Sequence, residues 1–398
     1  MAGPLSGIKV VEMGVWVAGP SCAAILADWG ADVVKIEPPE GDPFRGLFAG
    51  LLDLPANPPF ELDNRGKRSI ALDLEKEDAR YIAVDLVNAA DVFVTNMRPR
   101  VLKKYHMDYE ARAVTNPGLV YCQLTGYGPD GPEADRASYD IGAFWSRSGV
   151  VASLTTEGRE PPQQRGGMGD HMTGSNGAGA IAAALFSRER TGRGQKVAVS
   201  LMRVGAYMMG WDTNTSLRFG TPTVPYDRHH AVNPIINSFQ DRNGKWFWLL
   251  LLQADRHWPD LLRALNAQHL ANDERFANIP NRMANSEALV KEIDAIIHQK
   301  TLDEWGPIFD RENVWWAPVQ STTEVIADPV AHAAGVFIDV PGPEGPITQV
   351  ATPSDFYGTP VEHRSWVPEL GQNTEEILVE LGYDWDRIIA LKDLGAIP

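Results

Sequence analysis

Residues 8–37, IKVVEMGVWVAGPSCAAILADWGADVVKIE, decide the fold. Ile8–Glu12 is a β-rich run, Gly14–Pro20 reads as a loop, and Ser21–Trp29 is Ala-rich with helical spacing. Gly30 stops that helix, and Ala31–Glu37 is a second strand. Pro20 suits a first helical turn, where its missing N–H is not needed. Strand, helix and strand in this order open a doubly wound sheet.

The pattern recurs downstream. Ser69–Leu74, Asp91–Val94, Leu119–Leu124 and Lys196–Leu201 read as strands, and Lys76–Ala89 as a helix. From Thr173 to Arg188 small residues dominate, so that helix can approach a neighbouring backbone closely. The expectation is an α/β protein: a Rossmann-like doubly wound large domain plus a smaller α+β domain. Residues 1–212 form the large domain, and 213–233 are a polar linker. Residues 234–325 form the small domain, opened by the strand Lys245–Leu251 and continued by helices. A second linker covers 326–345, and 346–398 return to the large domain, with a helix at Thr374–Leu381 stopped by Gly382. Pro341–Pro360 is Pro/Gly-rich and linker-like.

A chain of 398 residues, 44% hydrophobic, can bury a large core across two lobes. Lys and Arg number 36 against 52 Asp and Glu, a net charge of −16. That field favours neither nucleic acid nor an anionic membrane, so no such partner is expected. An anionic ligand would have to be held by local groups. Cys22 and Cys122 are the only cysteines and form neither a metal-type pair nor a disulfide framework, which fits a reducing compartment. There is no signal-peptide pattern and no apolar run long enough to span a bilayer, so the cytoplasm is the expected location.

Two stretches could carry chemistry. Gly14-Val15-Trp16-Val17-Ala18-Gly19-Pro20 feeds a helix N-terminus, where free N–H groups and the helix dipole attract anions. Its spacing is not G-x-G-x-x-G, and Trp16 and Val17 stand where close phosphate approach would need glycine, although Glu37 imitates a ribose-binding acid. A nucleotide-type ligand other than NAD and a plain tight loop both remain open. The second stretch is Gly166-Gly167-Met168-Gly169-Asp170-His171-Met172-Thr173-Gly174. Asp170 either caps the following helix or is a carboxylate kept ionised at a helix N-terminus, with glycines leaving room for a large reactant. His171 is adjacent, but neighbouring helical residues point about 100° apart. The pair His229-His230 lacks the companion spacing of a metal site, and no metal is expected. No nucleophile elbow, Walker loop or H-E-x-x-H occurs.

Taken in order, the motifs resemble the family III CoA-transferases, the CaiB/BaiF group that includes formyl-CoA transferase. The resemblance covers residues 9–12, 18–20, ADWGADVVKIE at 27–37, 41–46, 64–69 and 72–74. It continues with DVFVTNMRP at 91–99, Gly126-Tyr127-Gly128, Gly169-Asp170, TGRGQKV at 191–197, Ala317-Pro318-Val319 with Asp328-Pro329, and Pro368-Glu369-Leu370-Gly371 with Thr374-Glu375. It implies that Asp170 is a nucleophile attacking an acyl-CoA thioester, with coenzyme A and carboxylic acids as reactants. It also implies coenzyme A contacts at Val17, Ala18, Leu72, Asn96, Met97, Arg98, Lys104, Arg136 and Tyr139, within a segment running to Asp140. An interlocked homodimer is implied as well.

Three departures from formyl-CoA transferase stand out. Pro38 and Ala137 replace basic residues, and Glu75 stands where that enzyme has lysine, leaving Arg45, Arg98, Lys103, Lys104 and Arg136 as candidate cations for the nucleotide. Asp227–Pro234 replaces the mobile polyglycine loop, so small-diacid specificity is not carried over. The segment Ser138–Gly149 looks closer to members acting on bulkier acids, with Phe144, Trp145, Trp211, Trp315 and Trp316 as candidate walls of an apolar acyl pocket. The rival on the same fold is an α-methylacyl-CoA racemase. Racemases of this family carry histidine where Tyr139 stands, and tyrosine, with a pKa of about 10, is a poor base. Transfer is therefore favoured. Outside this chemistry, an NAD-dependent dehydrogenase lacks its glycine fingerprint, and a non-catalytic CoA-binding protein remains a formal alternative.

Overall fold

The computed structural model describes residues 3–52, 54–222, 224–361 and 365–398. Two compact units emerge: Met1–Ala152 with Pro162–Thr223 and Gly335–Pro398, and Ser153–Pro161 with Val224–Ala334. Part of the expected first linker is helical, since Gly210–Phe219 forms a helix. The Pro/Gly-rich stretch contributes a strand, Ile347–Val350, paired antiparallel with Phe337–Val340.

The larger unit is built on six parallel strands: β1 Lys9–Met13, β2 Asp32–Glu37, β3 Arg68–Ala71, β4 Val92–Thr95, β5 Val120–Thr125 and β6 Lys196–Ser200. Their order is β3-β2-β1-β4-β5-β6, so the chain reverses direction across the sheet between β1 and β4. All five pairings are parallel, with Val10 beside both Val33 and Val92. Side chains of a strand alternate between faces. Val11, Val34, Ile70 and Phe93 therefore join one core with Ile82, Leu86, Leu378 and Ile388. Val10, Val33, Val92 and Val94 join the other with Cys22, Leu26, Ile181 and Leu185. Strands β1 to β5 are buried on both faces, which explains their near-continuous aliphatic runs, whereas the edge strand β6 is only partly buried.

The second core depends on close contact between the helices Ala18–Asp28 and Met168–Thr191. A Cβ on Gly174 would lie 2.2 Å from Ser21 Oγ and 2.9 Å from the Cys22 backbone nitrogen, and one on Gly177 would lie 3.0 Å from Cys22 Sγ. The small residues of the second helix are what let the backbones approach. The C-terminal segment closes the sheet edge: Gly371 N–H donates to Ser69 Oγ at 3.0 Å, and Asn373 N–H donates to the Ser69 carbonyl at 2.9 Å.

The smaller unit has a three-stranded antiparallel sheet of Ile236–Gln240, Trp246–Leu250 and Trp316–Pro318, backed by helices. Its core centres on Phe239, Phe247, Trp305 and Phe309. No described helix is long and apolar enough to cross a membrane.

Replacing Gly174 with alanine is expected to destabilise the protein by about 1–3 kcal/mol, because the methyl meets the Cys22 backbone as well as the Ser21 hydroxyl. Gly179, in the same helix, has nothing within 4 Å of its Cβ position. Gly179→Ala should be neutral or stabilising by about 0.5–1 kcal/mol through helix propensity. Chemical denaturation of both variants checks the contrast.

Candidate active site

In a doubly wound sheet, ligands bind beyond the carboxyl ends of the strands, where the strand order reverses. A cavity of about 400 Å³ lies there. Val15 and Trp16, after β1, form one wall; Asn96, Met97 and Arg98, after β4, form another; Gly126, after β5, and the segment Ala134–Tyr139 complete the rim. Asp170, Leu124 and Leu201 line it from within.

The first wall is held by polar clamps. Val15 N–H donates to Asn96 Oδ1 at 3.0 Å, and Asn96 Nδ2 donates back to the Val15 carbonyl at 2.7 Å. Asp42 Oδ1 accepts from Trp16 N–H at 3.1 Å, while Lys35 Nζ donates to the Gly14 carbonyl at 3.0 Å. Trp16 itself has φ 66°, a conformation costly for a bulky residue and sustained only by surroundings that fix it. Its ring meets Tyr139 edge-on, 5.5 Å between centroids. A Cβ on Gly126 would fall 1.9 Å from Ser138 Oγ, so glycine there admits the rim segment over β5.

The helix carrying Asp170 starts at Met168, five residues before the expected start at Thr173. Its N-cap is Gly167, with φ 78°. Asp170 is thus the third helical residue rather than the cap, and among the described residues its carboxylate has neither hydrogen bond nor ion pair. Gly169 must be glycine, since its Cβ would sit 2.4 Å from Phe144 Cγ, whereas the space around Gly166 is open. The sequence-based expectation of a permanently ionised Asp170 is corrected. Burial first, then the negative charges of Asp140 and Asp63, push its pKa up to about 7, with His171 acting in the opposite direction. Partial desolvation outweighs the helix terminus.

Of the other sequence candidates, Ala18, Asn96, Met97, Arg98, Arg136 and Tyr139 line the same cavity as Asp170. Val17 does not line it; its Cγ1 lies 3.8 Å from the Cβ position of Gly167. Leu72 does not line this cavity, and its side chain is fully buried in the core at the end of β3. Lys104 is not on the cavity and bonds Glu75 at 2.5 Å, the glutamate that stands in place of a lysine. Arg45 is committed to Glu37 through two bonds of 2.7 Å, which, with Ser69 Oγ, hold that buried carboxylate down at about 2 against the cost of burial. Glu37 is therefore no ribose binder. Arg136 pairs with Glu133, leaving Arg98 and Lys103 as candidate cations with no ion pair among the described residues. The expected aromatic pocket is also corrected: Phe144 and Trp145 are packed core, Trp211 is exposed, and Trp315 and Trp316 belong to the smaller unit. The aromatic wall is Trp16 with Tyr139. Sequence reading had noted Trp16 only as an obstacle, and nothing local marked Leu124, Leu201 or the pairing of His171 with Asp63. Among the described residues no cluster of His, Cys, Asp and Glu could hold a metal.

A sequence model of the family described as CoA-transferase family III matches residues 5–374. The (R)-2-hydroxy-4-methylpentanoate CoA-transferase of Clostridioides difficile is 33% identical, over 98% of this chain and 98% of its own length. The cinnamoyl-CoA:phenyllactate CoA-transferase of Clostridium sporogenes is 33% identical, over 97% and 95%. The crystal structure of a CAIB/BAIF family protein from Brucella suis superposes with a TM-score of 0.83 at 33% identity, covering 96% of this chain and 100% of that one.

The raised pKa of Asp170 links stability to pH. Stability from the neutral carboxyl is complete below its ordinary pKa of 3.8 and is lost as pH rises through about 7. Above that, the folded protein carries a largely buried charge with no hydrogen bond or ion pair among the described residues, and with only the nearby His171 acting in its favour. Asp170→Asn, neutral at every pH, is expected to be more stable than the parent by about 1–3 kcal/mol at pH 8, a difference that vanishes towards pH 4. Denaturation at both pH values measures it.

Proposed function

The chain belongs to CoA-transferase family III, and from that premise we propose that it moves coenzyme A between carboxylic acids through a covalent intermediate on Asp170. The observation that carries this reading is a carboxylate without a partner, flanked by glycine, in a cavity at the switch point of the sheet. An ionised Asp170 oxygen attacks the thioester carbonyl carbon, the C–S bond breaks, and a mixed anhydride forms while the coenzyme leaves as thiolate. The thiolate then attacks the aspartyl carbonyl, giving an aspartyl thioester and releasing the first acid as carboxylate. The incoming carboxylate attacks that thioester, and the thiolate finally attacks the new acyl carbonyl, regenerating Asp170. No net proton is consumed.

Backbone N–H groups in the first turn of the Asp170 helix have no intrahelical carbonyl and can face the developing oxyanion. The apolar walls at Trp16, Leu124, Leu201 and Met97 limit water, to which an anhydride is vulnerable. Arg98, on the rim, is the cation we assign to the coenzyme's phosphates. The Trp16–Tyr139 wall favours branched or aryl monocarboxylic acids, in keeping with the relatives named for 2-hydroxy-4-methylpentanoate and phenyllactate. We place the reaction in the cytoplasm, where the buried free thiols of Cys22 and Cys122 suit a reducing medium. We also assign the chain to a homodimer. The exposed Tyr207, Trp211, Leu217 and Phe219 supply an apolar surface for a second copy.

Asp170→Ala and Asp170→Asn are expected to lose coenzyme A exchange by about a thousandfold or more while binding free coenzyme A as the parent does. Mass spectrometry of the parent after acyl-CoA alone should show an adduct on the peptide containing Asp170. Exchange near the parent rate in either variant would remove the nucleophile assignment.

A further inference from the structure

His171 follows the proposed nucleophile directly, yet its ring is held from elsewhere. Its Nε2 lies 2.9 Å from Asp63 Oδ1, on the helix Pro58–Asn64. On the other side the ring packs against the Gly167 turn, so closely that a Cβ on Gly167 would meet its Cε1 at 3.1 Å and its Nδ1 at 3.2 Å. Asp63 is 2% exposed, and its second oxygen has no hydrogen-bond partner. Lys67 and Arg65 act on Asp63 through space but are spent on Glu12 and Asp28, at 2.6 and 2.7 Å. His171 is thus the one group that hydrogen-bonds this buried carboxyl among the described residues.

Arg165, whose carbonyl accepts from Met168 N–H at the start of this turn, is exposed, and the buried charge around the Asp170 turn is negative. Asp140, immediately before the π-helical turn Ile141–Ser146, is buried and accepts from Gln164 Nε2 at 3.1 Å. The helix Ala18–Asp28 brings only Asp28, at its far end; β5 brings no charged residue; and β6 brings Lys196 at the end opposite the cavity. Arg203, in the helix after β6, is exposed. Three carboxyl groups therefore crowd one imidazole. Burial works against a charged His171, but the Asp63 hydrogen bond and the carboxylates outweigh it, and the net shift is upward.

We propose that His171, docked on Asp63, is a positioning residue that holds a positive charge beside Asp170 and so favours the ionised form of the nucleophile against its burial. The effect acts through space and needs no shared proton, so the divergence of adjacent side chains on a helix is no obstacle. The Asp63–His171 bridge does the orienting, since without it a side chain 43% exposed would be free to leave the turn. This inference rests on Asp170 being the nucleophile.

The test is the pH dependence of kcat/KM for acyl-CoA between pH 5.5 and 9.5 in His171→Gln, which can still donate a hydrogen bond to Asp63 but carries no charge. The acid limb is expected to move up by about one pH unit, lowering activity near pH 6.5 about tenfold and recovering towards the parent above pH 9, in kcat rather than KM. His171→Lys, which restores a cation, should return the limb to the parental position. If His171→Gln fails to fold, His171→Lys alone decides, because a purely structural histidine would leave the lysine variant inactive. An unshifted limb with uniform loss at every pH, or a shift that lysine does not reverse, overturns the inference. Asp170→Asn run alongside separates the two readings: retained exchange there overturns both, whereas lost exchange with an unmoved His171→Gln limb overturns this one alone.

Discussion

Glu12, at the end of β1, is the anchor on which the site depends. Its carboxylate takes Lys35 Nζ at 2.9 Å and Lys67 Nζ at 2.6 Å, all three side chains fully buried. Lys35 also holds Asp42 and the Gly14 carbonyl, and Lys67 also holds the Pro20 carbonyl and Asn64. A buried charge that loses its partner costs several kcal/mol, so such a cluster tolerates few arrangements. Lys35 remains charged because Glu12 and Asp42 overcome its desolvation. Lys67 is drawn down to about 8 by its burial first and by the Lys35 cation, against the pull of Glu12. Both ends of the Gly14–Pro20 loop are thereby fixed, and Trp16 between them has no relaxed alternative to its left-handed backbone.

The opposite wall is placed by packing rather than by charge. The helix Met168–Thr191 is drawn against Ala18–Asp28 because Gly174 and Gly177 leave no side chain between them, and Gly169 lets its first turn settle on Phe144. The end of a helix that lies this close to the sheet has no freedom to retreat. Its third residue is consequently left at the cavity, out of bulk water and without a donor. That combination raises the Asp170 pKa. It also leaves both carboxylate oxygens uncommitted, which a nucleophile requires and a cap does not.

Much of this was legible in the sequence, for identifiable reasons. The six parallel strands announce themselves as short aliphatic runs, and each was placed within a few residues because periodicity is a local property. The identity of the cavity as the meeting point of the loops after β1, β4 and β5 was not local: it follows from strand order, which no single segment encodes. Which way the Leu72 side chain points is likewise not legible from its own segment. A residue at the end of a strand can face the ligand or the core, and a shift of one position decides which. The start of the Asp170 helix was missed because Gly167 and Gly169 read as a loop, whereas one supplies a positive φ at the cap and the other a steric clearance inside the helix. Asp63 was silent because its partner is 108 residues away.

A carboxyl titrating near neutrality could serve as a base as readily as a nucleophile, so its surroundings must discriminate. Proton exchange at an α-carbon needs a second acid–base group across the substrate. The residue on the facing rim is Tyr139, whose ring is engaged edge-on with Trp16, and the other nearby acid, Asp140, is occupied by Gln164 and by the Ile141 N–H at 2.8 Å. Both are thus engaged in other contacts, and His171 is docked on Asp63 beside Asp170 rather than across the cavity from it. Covalent transfer needs only one free oxygen, glycine clearance for the approaching carbonyl, and a wall that limits water. Those three requirements match what surrounds Asp170, and they favour acyl transfer over racemisation without recourse to any relative.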